Sequence, residues 1–205
     1  MRLRPPFASV LAVCVASACA DFHSKQAAIQ VYTLESSFAA PASVPAPAPG
    51  TARAAATLLL PRPLAGPGLD TDGIALQRNG QRLDYFAASR WAAPLPEIVQ
   101  SQAIEALRAA GKFRSVQPDG AAFAADLVLQ LEIRRCQAEY SADGQPTVRV
   151  QLLATRGRRA DRSVLATVSA AGAAQAAGNR MESVVAAFQS ALGAALGELS
   201  AELAP

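Results

Sequence analysis

Few side chains in this sequence are placed to do chemistry, and Cys19 has the most suggestive setting. Arg2 and Arg4 precede a run of apolar and small residues from Phe7 to Ala18, and Ala16-Ser17-Ala18 sits directly before the thiol. A run that short cannot cross a hydrocarbon core, which takes about 20 residues. Residues 1–18 therefore read as a secretory signal. Small residues just ahead of a cysteine suit a lipobox, in which Cys19 is diacylated and becomes the new N-terminus. The other reading is an ordinary small-x-small cleavage that leaves Cys19 as a free periplasmic thiol. Cys14 fits acylation less well, because the bulky Val13 stands before it. Each buried acyl methylene contributes roughly 0.8 kcal/mol to membrane attachment, so a multiply acylated Cys19 would hold firmly. Asp21, at the third mature position, favours the outer membrane by the sorting rule of enteric lipoproteins.

With Cys14 in the signal and Cys19 in the anchor, Cys136 has no disulfide partner; its place in an alternating strand predicts a buried, inert thiol. The single histidine, His23, lies beside the anchor and far from any fold, which argues against Ser-His-Asp or Cys-His catalysis. There is no phosphate-binding glycine motif and no Cys/His cluster with zinc spacing. Asp70 and Asp72 precede Gly73, but the further oxygen ligands of a calcium loop are missing, so an Asx turn is expected. The sequence reads as a non-enzyme with no cofactor and no metal. The formal charge of +3 includes Arg2 and Arg4. Without them 17 basic residues face 16 acidic ones, which gives no electrostatic case for nucleic acid.

Contact chemistry is the remaining candidate. Tyr85, Phe86, Arg90, Trp91 and Leu95 form the richest aromatic stretch, and Trp91 is the lone tryptophan. Tyrosine and tryptophan join apolar area to a polar handle, and Arg90 suits a phosphate or carboxylate. One reading makes this a partner or lipid contact; the other makes Trp91 a core anchor. The basic run Arg156 to Arg162 reads as a solvated hairpin turn, with contact to anionic headgroups or an acidic partner as its alternative.

These residues need elements to place them. After a polar tether over 19–28, Ile29 to Leu34 predicts a first strand. Residues 39–53 are dominated by alanine and proline and predict a surface loop inside a domain spanning 29–205. Further strands are expected at Ala55 to Leu60, from Ile74, and up to Tyr85 beyond an Asn79-Gly80 hairpin. Pro94, Pro96 and Glu97 open a helix that Gly111 closes. Leu127, Leu129, Leu131 and Ile133 alternate with Gln130, Glu132 and Arg134, which predicts a strand over Asp126 to Tyr140 with one buried and one wet face. Val148, Val150, Leu152 and Ala154, then Val164, Ala166 and Val168, repeat the pattern. A last helix from Asn179 to Leu203 carries the stripe Val184, Phe188, Leu192, Leu196, Leu199, which should pack on the sheet; its alanine flank could serve contacts between subunits. The fold class expected is α+β, a single mainly antiparallel sheet with two main helices on one face.

Several short runs in this order carry a resemblance: the lipobox, Tyr32-Thr33-Leu34, Leu60-Pro61-Arg62-Pro63-Leu64, Arg90-Trp91-Ala92-Ala93-Pro94-Leu95-Pro96, Ala125-Asp126-Leu127 and Val184-Val185-Ala186-Ala187-Phe188. Together the chain resembles the ABC-type transport auxiliary lipoproteins, which are associated with MCE-domain lipid transporters, including the paraquat-inducible system. The resemblance implies an α/β domain on the periplasmic side of the outer membrane that supports lipid transfer by docking the transport tunnel or accepting lipid. It implies MCE-domain proteins and phospholipid as partners, with homo-oligomers among the expected assemblies. A structural lipoprotein that assists assembly of another envelope protein is the alternative.

Overall fold

The computed structural model describes residues 28–35, 38, 56–78, 82–141 and 144–203. Cys14, Cys19, His23, the signal, most of the tether, the Pro/Ala segment 39–53 and the Asn79-Gly80 turn lie outside the described residues.

The longest strand, β7 (Leu127–Tyr140), is the spine of a single mixed sheet. Along one edge it pairs antiparallel with β8 (Pro146–Arg158), from Leu127↔Arg158 to Tyr140↔Pro146. β8 in turn pairs antiparallel with the edge strand β9 (Val164–Gln175). Three short strands share the other edge of β7, all parallel to it: β2 (Thr57–Leu60) at Leu127, β3 (Leu64–Ala65) at Ile133, and β4 (Gly73–Arg78) at Ala138. The sheet forks there. One branch continues from β2 to β6 (Ser115–Pro118), the other from β4 to β5 (Arg82–Trp91) and then to β1 (Gln30–Tyr32). The α+β expectation holds, with one refinement: the long pairings are antiparallel and the short ones parallel. A strand that supplies a partner edge to three others can only take short partners in sequence along its length.

The alternation in β7 behaves as its residue types dictate. Leu127, Leu129, Leu131 and Ile133 are buried, whereas Gln130 and Glu132 look outward. A bulge then leaves Arg134 as the extra residue between Ile133↔Leu152 and Arg135↔Gln151. The inward register resumes at Cys136, whose buried thiol is pushed up to about 12 by desolvation and stays protonated.

The helices α1 (Leu95–Ala109) and α2 (Met181–Glu202) lie on one face of this sheet and touch each other. Pro94 and Pro96 start α1, Glu97 adds charge to its first turn, and Gly111 at φ +65° ends it. Ile104 lies off the stripe of Leu95, Val99, Ala103 and Ala106, and is buried because α1 is covered by both the sheet and α2. By length and composition α2 could cross a membrane, at a mean hydropathy of 1.3. In the fold its apolar side is occupied by β8 and β9, with Val184, Phe188, Leu196 and Leu199 buried.

The alanine flank of α2 has a use that its sequence did not disclose. Ala187, Ala191 and Ala195 face β9, and a Cβ placed on Gly172 would lie 1.9 Å from the Ala191 carbonyl oxygen. Helix and strand backbones meet there, so these three alanines serve an internal contact. Further along, the Glu198 carboxylate accepts the Ala171 N–H at 2.7 Å, which occupies one of the free donors of this edge strand.

One strand end also departs from expectation. The basic run Arg156 to Arg162 is not one turn: β8 continues through Arg158, and only 159–163 form the hairpin tip. Arg158 is half-exposed and pairs with Asp161 at 2.9 Å. The Asp161 carboxyl is held down to about 2, first by the Ser163 hydroxyl, then by the Ser163 N–H, with Arg158 adding a smaller share. Exposed pairs of this kind contribute little to stability, typically under about 1 kcal/mol. Neutralising both Arg158 and Arg159 to glutamine should therefore shift the melting temperature by no more than about 2–3 °C. A loss of 10 °C in a thermal melt would mean that these side chains are tied into the core.

Candidate functional site

The corner that joins β5 to α1 contains every residue of the predicted contact cluster, and the fold separates them. Trp91 ends β5 with 2 % of its surface exposed, its ring edge-on to Phe188 of α2 at 5.2 Å between centroids and 83° between planes. Leu95, in the first turn of α1, is equally buried. Backbone bonds lock the corner. The Trp91 N–H donates to Asp72 O at 2.7 Å, Ala92 N–H to Tyr32 O at 2.9 Å, and Leu95 N–H to Thr71 O at 2.9 Å. The expectation that Trp91 and Leu95 offer a contact surface is thus corrected. Indole area is most useful where strand, helix and neighbouring helix leave a wide gap, and here α2 supplies Phe188 to close it.

The other members stay at or near the surface. Phe86 is half-buried and tilts against Tyr140 at 6.3 Å. Tyr85 is 46 % exposed, yet it acts as a clasp. Its hydroxyl donates to Gly68 O at 2.8 Å, and its ring lies over Gly73, where a Cβ would come within 2.6 Å of it. Gly68, at φ +77°, is needed both for its backbone and because a Cβ there would meet Leu83. In the sequence Gly73 marks only a turn and Gly68 has no assigned role, since nothing local shows that an aromatic ring from a later strand will come to lie there. Arg90 is half-exposed and faces Asp72 at 3.8 Å.

β5 carries an irregularity just above this corner. Its register slips by three residues between Ala75↔Tyr85 and Gly73↔Arg90, and Ala88 takes φ +51° inside the slip. Tyr85 and Arg90 are thereby displayed on the outside, while Trp91 is turned inward.

The acidic residues of the Asp70–Gly73 segment face arginines outside it, Arg62 and Arg90, and in place of the expected Asx turn the Gly73 N–H donates to Thr71 Oγ1 at 3.2 Å. Arg62 donates to both Asp70 oxygens, at 2.5 and 3.2 Å, and this bond holds the Asp70 carboxyl below its ordinary range. Among the described residues no group of three or more His, Cys, Asp or Glu side chains is arranged to hold a metal ion. The arrangement at the corner can offer a hydroxyl, a guanidinium and a small aromatic face to a partner.

The family model of the ABC-type transport auxiliary lipoprotein component matches residues 32–203. Among solved structures, the chain is similar to protein XCC0632 from Xanthomonas campestris, at 22 % identity and a TM-score of 0.71 over 83 % of this chain and 92 % of that one. A crystal structure of an uncharacterized protein is similar at 12 % identity and a TM-score of 0.56, over 83 % and 93 % of the two chains. Identities this low speak for a shared fold. No curated protein matches the chain.

Proposed function

The chain belongs to the ABC-type transport auxiliary lipoprotein component family, and from that membership we propose that it is the non-catalytic accessory of an MCE-domain system that carries lipid between the inner and outer membranes. The observation that carries this reading is the extent of the family match, from Tyr32 in β1 to Leu203 at the end of α2, which takes in nearly the whole described fold. In this reading Cys19 holds the chain on the periplasmic face of the outer membrane, and residues 19–28 tether the domain to its anchor. The domain then docks the transport tunnel or briefly accepts lipid, with Tyr85 and Arg90 as the exposed part of the contact cluster.

Covalent crosslinking of the full chain in its native membranes, followed by affinity purification, tests the role. An MCE-domain protein among the captured partners is the expected result. Capture of β-barrel or peptidoglycan-associated proteins alone would favour an assembly factor and remove the transport reading. The anchor has its own test. The intact mass of membrane-extracted protein should correspond to a chain that starts at an acylated Cys19, and Cys19→Ser should release the protein into the soluble fraction. A mature chain that starts after Cys19 would rule the anchor out.

A further inference from the structure

We propose that the helix-facing side of the sheet, at the end where β7 begins and β8 finishes, is a binding site for the phosphate of an anionic phospholipid headgroup, built on Arg156, Arg158 and Arg159. The first indication is a break in side-chain pattern. Val148, Val150, Leu152 and Ala154 of β8 are buried toward the helices. The same alternation places Arg156 opposite Leu129 and Arg158 opposite Leu127, with no bulge in the β7–β8 pairing at this end. Two cations thus stand at consecutive positions on the helix-facing side, Arg156 partly buried and Arg158 half-exposed at the strand's end, where the earlier positions of that side are apolar.

The second indication is the state of Arg156. Its Nε and Nη1 atoms are shielded from solvent and have no hydrogen-bond partner among the described residues. A guanidinium cannot shed its charge, and a buried donor left unmade is costly and rare. A bound anion would satisfy both nitrogens at once, in the forked geometry that suits phosphate oxygens.

The third is a groove of about 520 Å³ at the same end, lined by Ala56, Ala125, Asp126, Leu127, Arg158, Arg159 and Ala160; Arg156 sits one inward position behind Arg158 and is not itself part of the lining. That volume falls in the range of small-ligand sites. The local carboxylates are already engaged. Asp126 accepts the Thr57 N–H at 2.8 Å and faces Arg114 at 3.2 Å, and Asp161 holds Ser163 and Arg158. Arg156 and Arg159 make no ion pair among the described residues, so no described carboxylate balances either charge. The alanines and Leu127 beside it suit the glycerol and first methylenes of a lipid better than water. The choice of a phospholipid as carrier of the phosphate rests on the lipid-transport reading; the anion site itself does not.

Thermal melts of the full-length protein with short-chain phosphatidylglycerol, short-chain phosphatidylcholine or inorganic phosphate test this directly. At a hundredfold excess over Kd, phosphatidylglycerol should raise the wild-type melting temperature by roughly 5–10 °C. Arg156→Met should melt at or above the wild-type temperature without lipid, because an unpaired buried cation is replaced by apolar volume, and should lose the lipid-induced rise. Arg159→Gln, at an exposed position, should bind about tenfold more weakly. A lower melting temperature of lipid-free Arg156→Met would make the arginine a structural residue and overturn the proposal. So would an undiminished lipid response in that variant, or an equal response to phosphatidylcholine. A full response to inorganic phosphate alone would overturn the phospholipid assignment. Crosslinking to the transporter is read separately: its absence alongside a normal lipid response would remove the transport reading and leave this site standing.

Discussion

Gly172→Ala is expected to destabilise the protein by about 3 kcal/mol or more, at or beyond the upper end of what overpacking usually costs. The added Cβ would stand 1.9 Å from the Ala191 carbonyl oxygen and 2.9 Å from Ala195 N, both in the backbone of α2. A side chain can rotate away from such a clash, but a helix backbone cannot. Relief would require α2 to lift off β9, which would open the packing of Ala187, Ala191 and Ala195 along the same line. Against a typical total of 5–15 kcal/mol, the loss should appear as a fall in melting temperature of roughly 6–12 °C. Gly197→Ala is the natural control. Gly197 lies in the same helix, is exposed, and has nothing within 4 Å of its would-be Cβ. That substitution should stabilise by up to about 1 kcal/mol through helix propensity alone. Equal effects of the two changes would show that α2 does not meet β9 at Gly172.

Trp91→Ala should cost roughly 3–5 kcal/mol, as expected for removing a large buried ring that its surroundings cannot collapse to replace. The indole is 2 % exposed and meets Phe188 edge-on at 5.2 Å, so its loss leaves a void between β5, α1 and α2. Trp91→Phe keeps part of the ring and should lose well under half as much. Because Trp91 is the only tryptophan, its own fluorescence provides the check. Emission should be blue-shifted and poorly quenched by acrylamide in the native state, and should report the melt of each variant that retains it; circular dichroism serves for Trp91→Ala. A Trp91→Ala protein that melts like the wild type would return the residue to the surface and restore it as a contact.

Local pattern was a good guide where one face of one element decided the outcome. The alternation of Leu127 to Ile133 and the stripe through Val184, Phe188 and Leu196 give the same burial in the fold as on paper, because side-chain period depends only on the backbone of the element itself. The capping signals of α1 at Pro94, Glu97 and Gly111 are local in the same sense. The contact cluster failed for the opposite reason. Tyr85, Arg90 and Trp91 are close in the chain, but a slip in β5 and the arrival of Phe188 from α2 send them to different sides.

By itself, then, the sequence determined the α+β class, the inward faces of β7 and α2, the likeness to an auxiliary lipoprotein and the lack of a catalytic triad motif, all of which follow from residue types and short spacings. Only the tertiary structure decided that the sheet forks at β7, that Gly172 rather than a larger residue must sit beneath α2, and that Trp91 is core. It also decided that Arg156 belongs to the inward face of a strand and not to a solvated turn. Each of these depends on which distant segment comes to lie against a given residue. Sequence spacing carries no record of that meeting, because chain entropy, packing volume and backbone pairing resolve it only when the whole domain closes.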